Sequence, residues 1–417
     1  MTRVRQWVTA NRLQVTVTVL LAVLLGAATW SSAKASGYWQ QATRQDGRSS
    51  ALRAESVRYV YQSELPLAIG IAEARVRRDS LRDLGEVDDA EVVGALAAAD
   101  QLIMQLQQAS DQSSNGLARG DKYLTSDGGY DVARRLGDQL RDDQVTAYDM
   151  SAATMQVGDW WARRAQAWAL LALAVTAAYV VASAVRSRRR RRGPPAESSD
   201  VGLVPTPWTE PRPERAVAAL ALAAWLALPV LTAQQLVLSM DSARAAAESS
   251  RLITDLSGST IVSQLRVGAA TDLQLRAYHL SMAGLSRQYA AGLGGPRGQR
   301  LIGSAEEAAG GRWEQIGLAM GDVPTKEDGV DALTIRWLAS EPSDWGRTGS
   351  RQERVQIASE EAGSAGDAVG LALLLAALAA TGATVARLPG APRRSTAILA
   401  AGLLAAAALL AVGAALP

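Results

Sequence analysis

The sequence contains no cysteine and no phenylalanine, and only one of its 417 residues is histidine. Without cysteine the chain forms no disulfide and offers no thiolate nucleophile, so any part outside the cytosol must be stable through packing alone. One imidazole without thiolates also falls short of the usual zinc ligand sets. These absences exclude disulfide scaffolds, zinc modules and cysteine enzymes.

The chain instead has long apolar runs, and 48% of its residues are hydrophobic. About 20 apolar residues are needed to cross the hydrocarbon core of a bilayer. We predict five membrane spans, at residues 13–33, 167–185, 216–238, 368–386 and 395–416. Ionisable residues at mid-membrane usually mark ion or proton paths, and none of these spans carries one at its middle, which disfavours a coupled transporter.

The first apolar run has two interpretations. Ala33, Lys34 and Ala35 match the small-residue pattern of a signal-peptide cleavage site. The run is longer than the roughly 7–15 residues typical of a signal peptide, which favours an uncleaved anchor. Both interpretations place the following segment outside the cell.

Charge is segregated along the chain. Residues 34–165 hold 16 basic and 20 acidic residues, and residues 239–367 hold 13 basic and 17 acidic residues. Arginine-rich segments beside a span stay in the cytosol, so the linker 186–215 fixes the topology. We expect the protein to lie in a bacterial plasma membrane. Residues 1–12, the linker and the turn 387–394 are cytoplasmic, whereas residues 34–165, residues 239–367 and the C-terminus are extracytoplasmic.

The two acidic regions show helical periodicity and no alternation of period two. Apolar residues recur at spacings of three and four in three stripes, which predict helical bundles. The stripes are Val57, Tyr61, Leu65, Ala68, Ala72 and Val76; Val92, Leu96, Ala99, Ile103 and Leu106; and Val262, Leu265, Ala269, Leu273, Ala277 and Leu280. The fold class is therefore an all-α membrane protein with two extracytoplasmic helical bundles.

The two halves follow the same plan of span, helical region and span. The short match of Ala54–Arg58 (AESVR) with Ala247–Arg251 (AESSR) falls early in each region. We predict a tandem duplication.

This plan resembles the four-helix-bundle ectodomains of bacterial chemoreceptors and nitrate-type sensors. The resemblance is architectural and covers residues 14–186 and 216–387. It implies a sensor whose helices move on ligand binding. The chain departs from that pattern because it carries no cytoplasmic kinase, methyl-accepting or cyclase module, so a separate partner would receive the signal.

A candidate anion site lies on one helical face, where Arg75, Arg78 and Arg82 project together. Guanidinium groups pair well with oxyanions. The alternative, which we favour, is a solvated face neutralised by Asp79 and Asp83.

The cytoplasmic linker offers two candidate contacts. Arg188, Arg189, Arg190, Arg191 and Arg192 can bind anionic lipid headgroups, and they also set the topology. Trp208 lies in a proline-rich stretch, PTPWTEPRP, that suits extended docking to a partner; a plain linker is the favoured alternative.

Three further patterns are weak. His279 shares a helical face with Asp272 and Arg276, which is a poor metal set. The glycines of residues 292–298 lack the strand and the Lys-Ser/Thr ending of a phosphate loop, so they predict a turn between helices. Ser31 and Lys34 have Ser-x-x-Lys spacing without a companion motif. We predict no catalytic residue, cofactor, metal or nucleic-acid partner.

The leading hypothesis is a non-enzymatic sensor-like membrane protein that signals through helix movement to a protein partner or within a homo-oligomer. The alternative is a membrane scaffold or accessory subunit of a larger complex. A membrane enzyme or transporter is the least favoured hypothesis.

Overall fold

The computed structural model describes residues 12–85, 88–126, 128–142, 147–190, 212–319, 339, 342–386 and 393–415. These residues form helices joined by turns, with one isolated β-bridge between Leu124 and Tyr130. The helices are α1 (Arg12–Arg58), a π-turn (Tyr59–Glu64), α2 (Leu65–Asp83), α3 (Ala90–Gln112), α4 (Val132–Asp142), α5 (Ala147–Arg190), α6 (Arg212–Gly292), α7 (Arg297–Ala319), α8 (Pro342–Val385) and α9 (Arg393–Gly413). Five of them are long and apolar enough to cross a membrane, as predicted.

Proline has opposite effects at two positions. Pro66 falls in the first turn of α2, directly after the π-turn. A proline donates no backbone N–H and crowds the preceding turn, so the helix widens there. Pro229 lies inside α6, which continues past it.

The chain divides into two compact units. The first unit comprises Met1–Arg44, Met150–Ser250 and Arg351–Pro417, and it holds the five predicted spans. The second unit comprises Gln45–Asp149 and Arg251–Ser350.

Alanine packing holds the first unit together. One buried cluster joins α1, α5 and α6 around Ala35, Trp39 and Ala165. Another joins α6, α8 and α9 around Leu231 and Ala376. Small side chains let helices approach closely in lipid, where no hydrophobic force drives them together.

Gly366 and Gly370 lie on the face of α8 that contacts α6. A Cβ atom on Gly370 would lie 3.0 Å from Nε2 of Gln235. Further along the same pair of helices, the Ser242 hydroxyl donates to the Ser359 carbonyl at 3.0 Å, and the Ser359 hydroxyl donates to the Ser242 carbonyl at 3.1 Å. Because glycine and serine are small, α6 and α8 approach closely here and form reciprocal hydrogen bonds.

The second unit has a core drawn from both acidic regions. All six residues of the first predicted stripe and four of the third belong to one hydrophobic cluster, and the other two, Leu265 and Ala269, are partly buried and pack against it, which confirms the inward orientation of both stripes. The sequence predicts two separate bundles, whereas in the structure the two regions pack around a shared core. Each stripe is an unpartnered apolar face on its own, and burying one against the other removes both from water. The duplication stays a prediction.

The remaining local predictions divide into two groups. The turn at residues 292–298 is confirmed, because α6 ends at Gly292 and α7 begins at Arg297. Residues 143–146, between α4 and α5, lie outside the described residues. The predicted turn at 387–394 also falls almost wholly outside them.

Helices α6 and α7 touch through glycine. A Cβ atom on Gly284 would lie 2.5 Å from the carbonyl oxygen of Gly303 and 2.6 Å from the backbone nitrogen of Glu307. These neighbours are backbone atoms of α7, so no rotamer change relieves the overlap. Only glycine permits this approach.

Gly284→Ala is therefore expected to force α6 and α7 apart and to lower the stability of the protein by about 1–3 kcal/mol, the usual cost of overpacking. Gly311→Ala is the matched control, because a Cβ there meets nothing within 4 Å. That change should raise stability by about 0.5–1 kcal/mol through helix propensity. Denaturant titration of the purified full-length protein would measure both; equal effects at the two positions would contradict the close helix contact.

Candidate functional site

A groove of about 370 Å³ opens on the second unit. Its floor is apolar, and Leu65 and Ile69 of α2 are almost fully buried there. The opposite wall comes from α6, through Leu265, Gly268 and Ala269. Ligand sites are commonly concave and mostly apolar, with a few polar groups that orient the ligand, and this volume lies in their usual range.

Polar groups line the rim of the groove. Gln62 and Gln264 are exposed and present amide donors and acceptors. The Asp272 carboxylate accepts a hydrogen bond from Nε of Arg276 at 2.9 Å. Burial raises the pKa of Tyr61 to about 12, although the charge of Arg266 lowers it, so the phenol stays protonated at neutral pH. This arrangement suits reversible binding of a small amphiphilic molecule with hydrogen-bonding groups.

The π-turn forms one edge of this groove. Tyr61 and Gln62 lie in it, and Pro66 follows within the groove lining. Because Pro66 has no N–H, the preceding turn of helix lacks one of its usual donors. Single π-turns of this kind occur frequently at functional sites.

The same π-turn carries a buried ion pair. Glu64 is 1% exposed, and its carboxylate accepts from Nε of Arg135 at 2.8 Å and from Nη2 of Arg135 at 2.9 Å. The carboxylate also accepts from the Gly116 N–H at 2.8 Å. The hydrogen bonds with Glu64 raise the pKa of the Arg135 guanidinium. This bidentate geometry compensates the desolvation of both charges.

Asn115 extends the network into the loop that follows α3. Its amide donates to the backbone carbonyl of Glu64 at 2.8 Å, and its side-chain oxygen accepts from the Ala118 N–H at 3.0 Å. Helix α4 supplies Arg135, so three segments meet at Glu64. The network fixes the loop and α4 to the turn that borders the groove.

A second buried charge cluster joins α1 and α6 within the second unit. Asp46 is 2% exposed and pairs with Nε of Arg251. Arg53 is 1% exposed, and the Ser50 hydroxyl donates to a carbonyl of α6, that of Thr254, at 3.4 Å.

Asp255 is the titratable member of that cluster. Burial, and then the negative charge of Asp46, raise the pKa of Asp255 to about 6. The charges of Arg251 and Arg53 lower it. Its carboxyl group therefore changes protonation state in mildly acidic solution.

The three arginines of the predicted anion face lie on α2. Arg78 pairs with Asp79 at 2.8 Å and lies 3.7 Å from Asp100 of α3, and Arg82 reaches Asp100 at 3.4 Å. Neutralisation by Asp79 agrees with the favoured alternative, whereas Asp83 pairs with Arg312 of α7. Anion binding at Arg75, Arg78 and Arg82 stays a prediction.

The other predicted sites are placed only in part. Arg188, Arg189 and Arg190 lie at the end of α5, and Arg191, Arg192 and Trp208 fall outside the described residues. His279 is exposed on α6 beside Tyr278. Among the described residues, no group of three or more His, Asp or Glu side chains is arranged to hold a metal ion.

Sequence reasoning missed both buried charge networks, although a signal was present. Glu64 lies three residues after Tyr61 and four before Ala68, on the apolar face of its helix. Arg53 lies four residues before Val57 on the same face. A charge at a stripe position requires a buried partner, and that rule identifies both residues.

The groove and the buried charge networks are the features from which a function can be inferred. Comparison with protein-family models, with curated proteins and with solved structures finds no match.

Proposed function

We propose that this protein is a non-enzymatic, multi-pass bacterial membrane protein with sensor-like extracytoplasmic helices. A small molecule binds in the groove of the second unit, and the resulting helix movement is passed to a separate partner. The observation that carries the proposal is the groove itself, because its polar rim includes part of a π-turn.

The π-turn supports a role in switching. A widened turn is held by fewer ideal hydrogen bonds than an α-helix, so a ligand against it can favour one of two local geometries. Glu64 of the same turn holds the loop after α3 and helix α4. A shift at the groove would therefore reach three segments at once.

Helix continuity supports transmission. α6 runs without interruption from Arg212 to Gly292 and contains both an apolar span and groove residues. α1 likewise contains an apolar span and leads through the π-turn into α2. Movement along such helices would reach the basic linker, where a partner can respond.

A thermal-shift screen of the full-length protein in lipid nanodiscs against small amphiphilic molecules, small anions and amino acids tests binding. The whole chain is required, because residues 34–165 alone lack the part of the core that α6 and α7 supply. A compound that binds in the groove should stabilise the wild type and fail to stabilise Gly268→Leu, which fills open space in the groove. Gly311→Leu, on the exposed side of α7, should respond like the wild type.

A fluorescent probe tests signalling. The chain has no cysteine, so Ser199→Cys in the linker carries a single label. Sensing predicts that a stabilising compound also changes the fluorescence of this probe. Stabilisation without a change at the probe would contradict signalling, and no stabilisation by any compound would contradict ligand sensing.

The alternative is a membrane scaffold or accessory subunit. The observation that favours it is the openness of the groove, whose rim residues Gln62 and Gln264 are exposed. If the protein is a scaffold, no compound in the screen should change its melting temperature or the fluorescence of the probe.

A further inference from the structure

Helix α6 carries a second apolar stripe that faces away from the core. Its members are large, lie outside the predicted spans and recur at spacings of three and four, with Leu293 next in the turn that follows. They are Leu275 (53% exposed), Tyr278 (60%), Met282 (46%), Leu285 (45%), Tyr289 (73%) and Leu293 (75%). The opposite face of the same stretch is buried, as at Leu273 and Leu280.

This surface is large for a monomer. Side chains of this size and exposure present on the order of 600 Å² of mostly apolar area, the upper range of patches that monomers leave uncovered. A stable homodimer buries about 800 Å² per partner. The exposed stripe with its immediate neighbours approaches that area.

The spacing suits another helix of the same kind. Leu275, Tyr278, Met282, Leu285 and Tyr289 follow the three-four alternation of a coiled-coil seam. Such a seam is self-complementary, because the residues of one helix fit between those of an identical helix.

Charge also favours an identical partner. The exposed positions that flank the stripe are Gln274, His279 and Ser286, none of which is acidic, Lys or Arg. The nearby arginines are neutralised within the chain: Arg276 by Asp272 at 2.9 Å and Arg287 by Glu306 at 3.3 Å. Two copies therefore meet without like charges opposite each other, which would otherwise disfavour pairing.

We propose that two copies of this chain associate in parallel through the stripe formed by Leu275, Tyr278, Met282, Leu285, Tyr289 and Leu293. The parallel direction follows because α6 contains an apolar span, and two copies inserted in one membrane with the same topology orient α6 alike. Residues of the same number then face each other across the seam. This association does not depend on ligand sensing.

Cysteine cross-linking of the full-length protein in native membranes tests the proposal, because the chain has no competing cysteine. Met282→Cys lies on the seam and Ala283→Cys lies beside it, exposed but off the stripe. A disulfide needs its two Cα atoms within about 7 Å, so oxidation should link Met282→Cys chains at least about tenfold faster than Ala283→Cys chains. Equal rates would overturn the proposal.

A second measurement does not rely on oxidation. The wild type in nanodiscs should have the mass of two chains by mass photometry, and the double variant Met282→Glu/Leu285→Glu should have the mass of one. Both changes are at exposed positions, so the double variant should retain its secondary structure and helix content. A wild type with the mass of one chain, as expected if a foreign protein or another part of the same chain covers the stripe, would overturn the proposal. A double variant that keeps the mass of two chains would also do so.

Discussion

Replacing Glu64 with alanine is expected to lower the stability of the protein by on the order of 3–5 kcal/mol, the usual cost of breaking a buried ion pair. The change leaves the Arg135 guanidinium without its bidentate partner, and Arg135 is only 9% exposed. It also removes the acceptor of the Gly116 N–H. Both donors would remain largely buried, which costs more than the lost attraction.

The substitution should lower the stability of the whole protein and also loosen the loop after α3. Denaturant titration of the purified full-length protein would give the free energy of unfolding, and hydrogen exchange would report the loop. Because Asn115 and Gly116 bond to Glu64, amides of residues 115–126 should exchange faster in the variant.

Two controls separate the buried charge from a general effect of mutation. Arg347→Ala breaks the exposed pair with Asp344 and should cost less than about 1 kcal/mol. The double variant Glu64→Leu/Arg135→Met removes both charges and should recover part of the loss, because no unpaired charge remains. A single variant as stable as the wild type would contradict the buried pair.

Periodicity predicted the faces of the helices but not their partners. Residues such as Val57 and Val262 are recognisable because burial on one side of a helix leaves a spacing of three and four. Nothing in that spacing says which stripe another stripe will meet. The sequence therefore predicted two bundles, whereas in the second unit the two regions share a core.

The same limit explains the exposed stripe of α6. Leu275, Tyr278 and Met282 have the spacing of a core face, and Leu273, Ala277 and Leu280 on the same helix have it too. A helix that is apolar on two faces needs two partners. Only the structure identifies which face is buried within the chain and which is exposed.

The five long apolar helices were the most predictable feature, because length and hydropathy alone identify them as candidate spans. The groove was not predictable, since Gln62 and Gln264 are 202 positions apart in the chain. Their proximity follows from the packing of α6 against the π-turn and α2, which local patterns do not encode.

Asp255→Asn is expected to stabilise the protein at neutral pH and to remove one component of its pH dependence. The pKa of Asp255 is raised from 3.8 to about 6 in the folded protein. Well below pH 3.8 the folded and unfolded chains both hold this proton, so the group costs nothing. As pH rises toward 6 the unfolded chain releases the proton first, and stability is lost until the folded chain also ionises.

The size of that loss follows from the pKa shift. Two pKa units correspond to about 3 kcal/mol, so the wild type should be less stable than Asp255→Asn by up to about 3 kcal/mol at pH 7–8. An asparagine cannot ionise, and it avoids the repulsion between Asp255 and Asp46 while Arg251 keeps its bond to Asp46. Well below pH 3.8 the two proteins should have nearly the same stability.

The measurement is the difference in unfolding free energy between Asp255→Asn and the wild type, taken at several pH values between 4 and 8. Taking the difference between the two proteins removes the contribution of the other carboxylates, because they affect both proteins alike. Asp111→Asn, an exposed position at the end of α3, is the control and should give a small difference that does not vary with pH. If the Asp255→Asn difference were equally flat, the carboxyl group would ionise in the folded protein as it does in water, and burial beside Asp46 would have no energetic consequence.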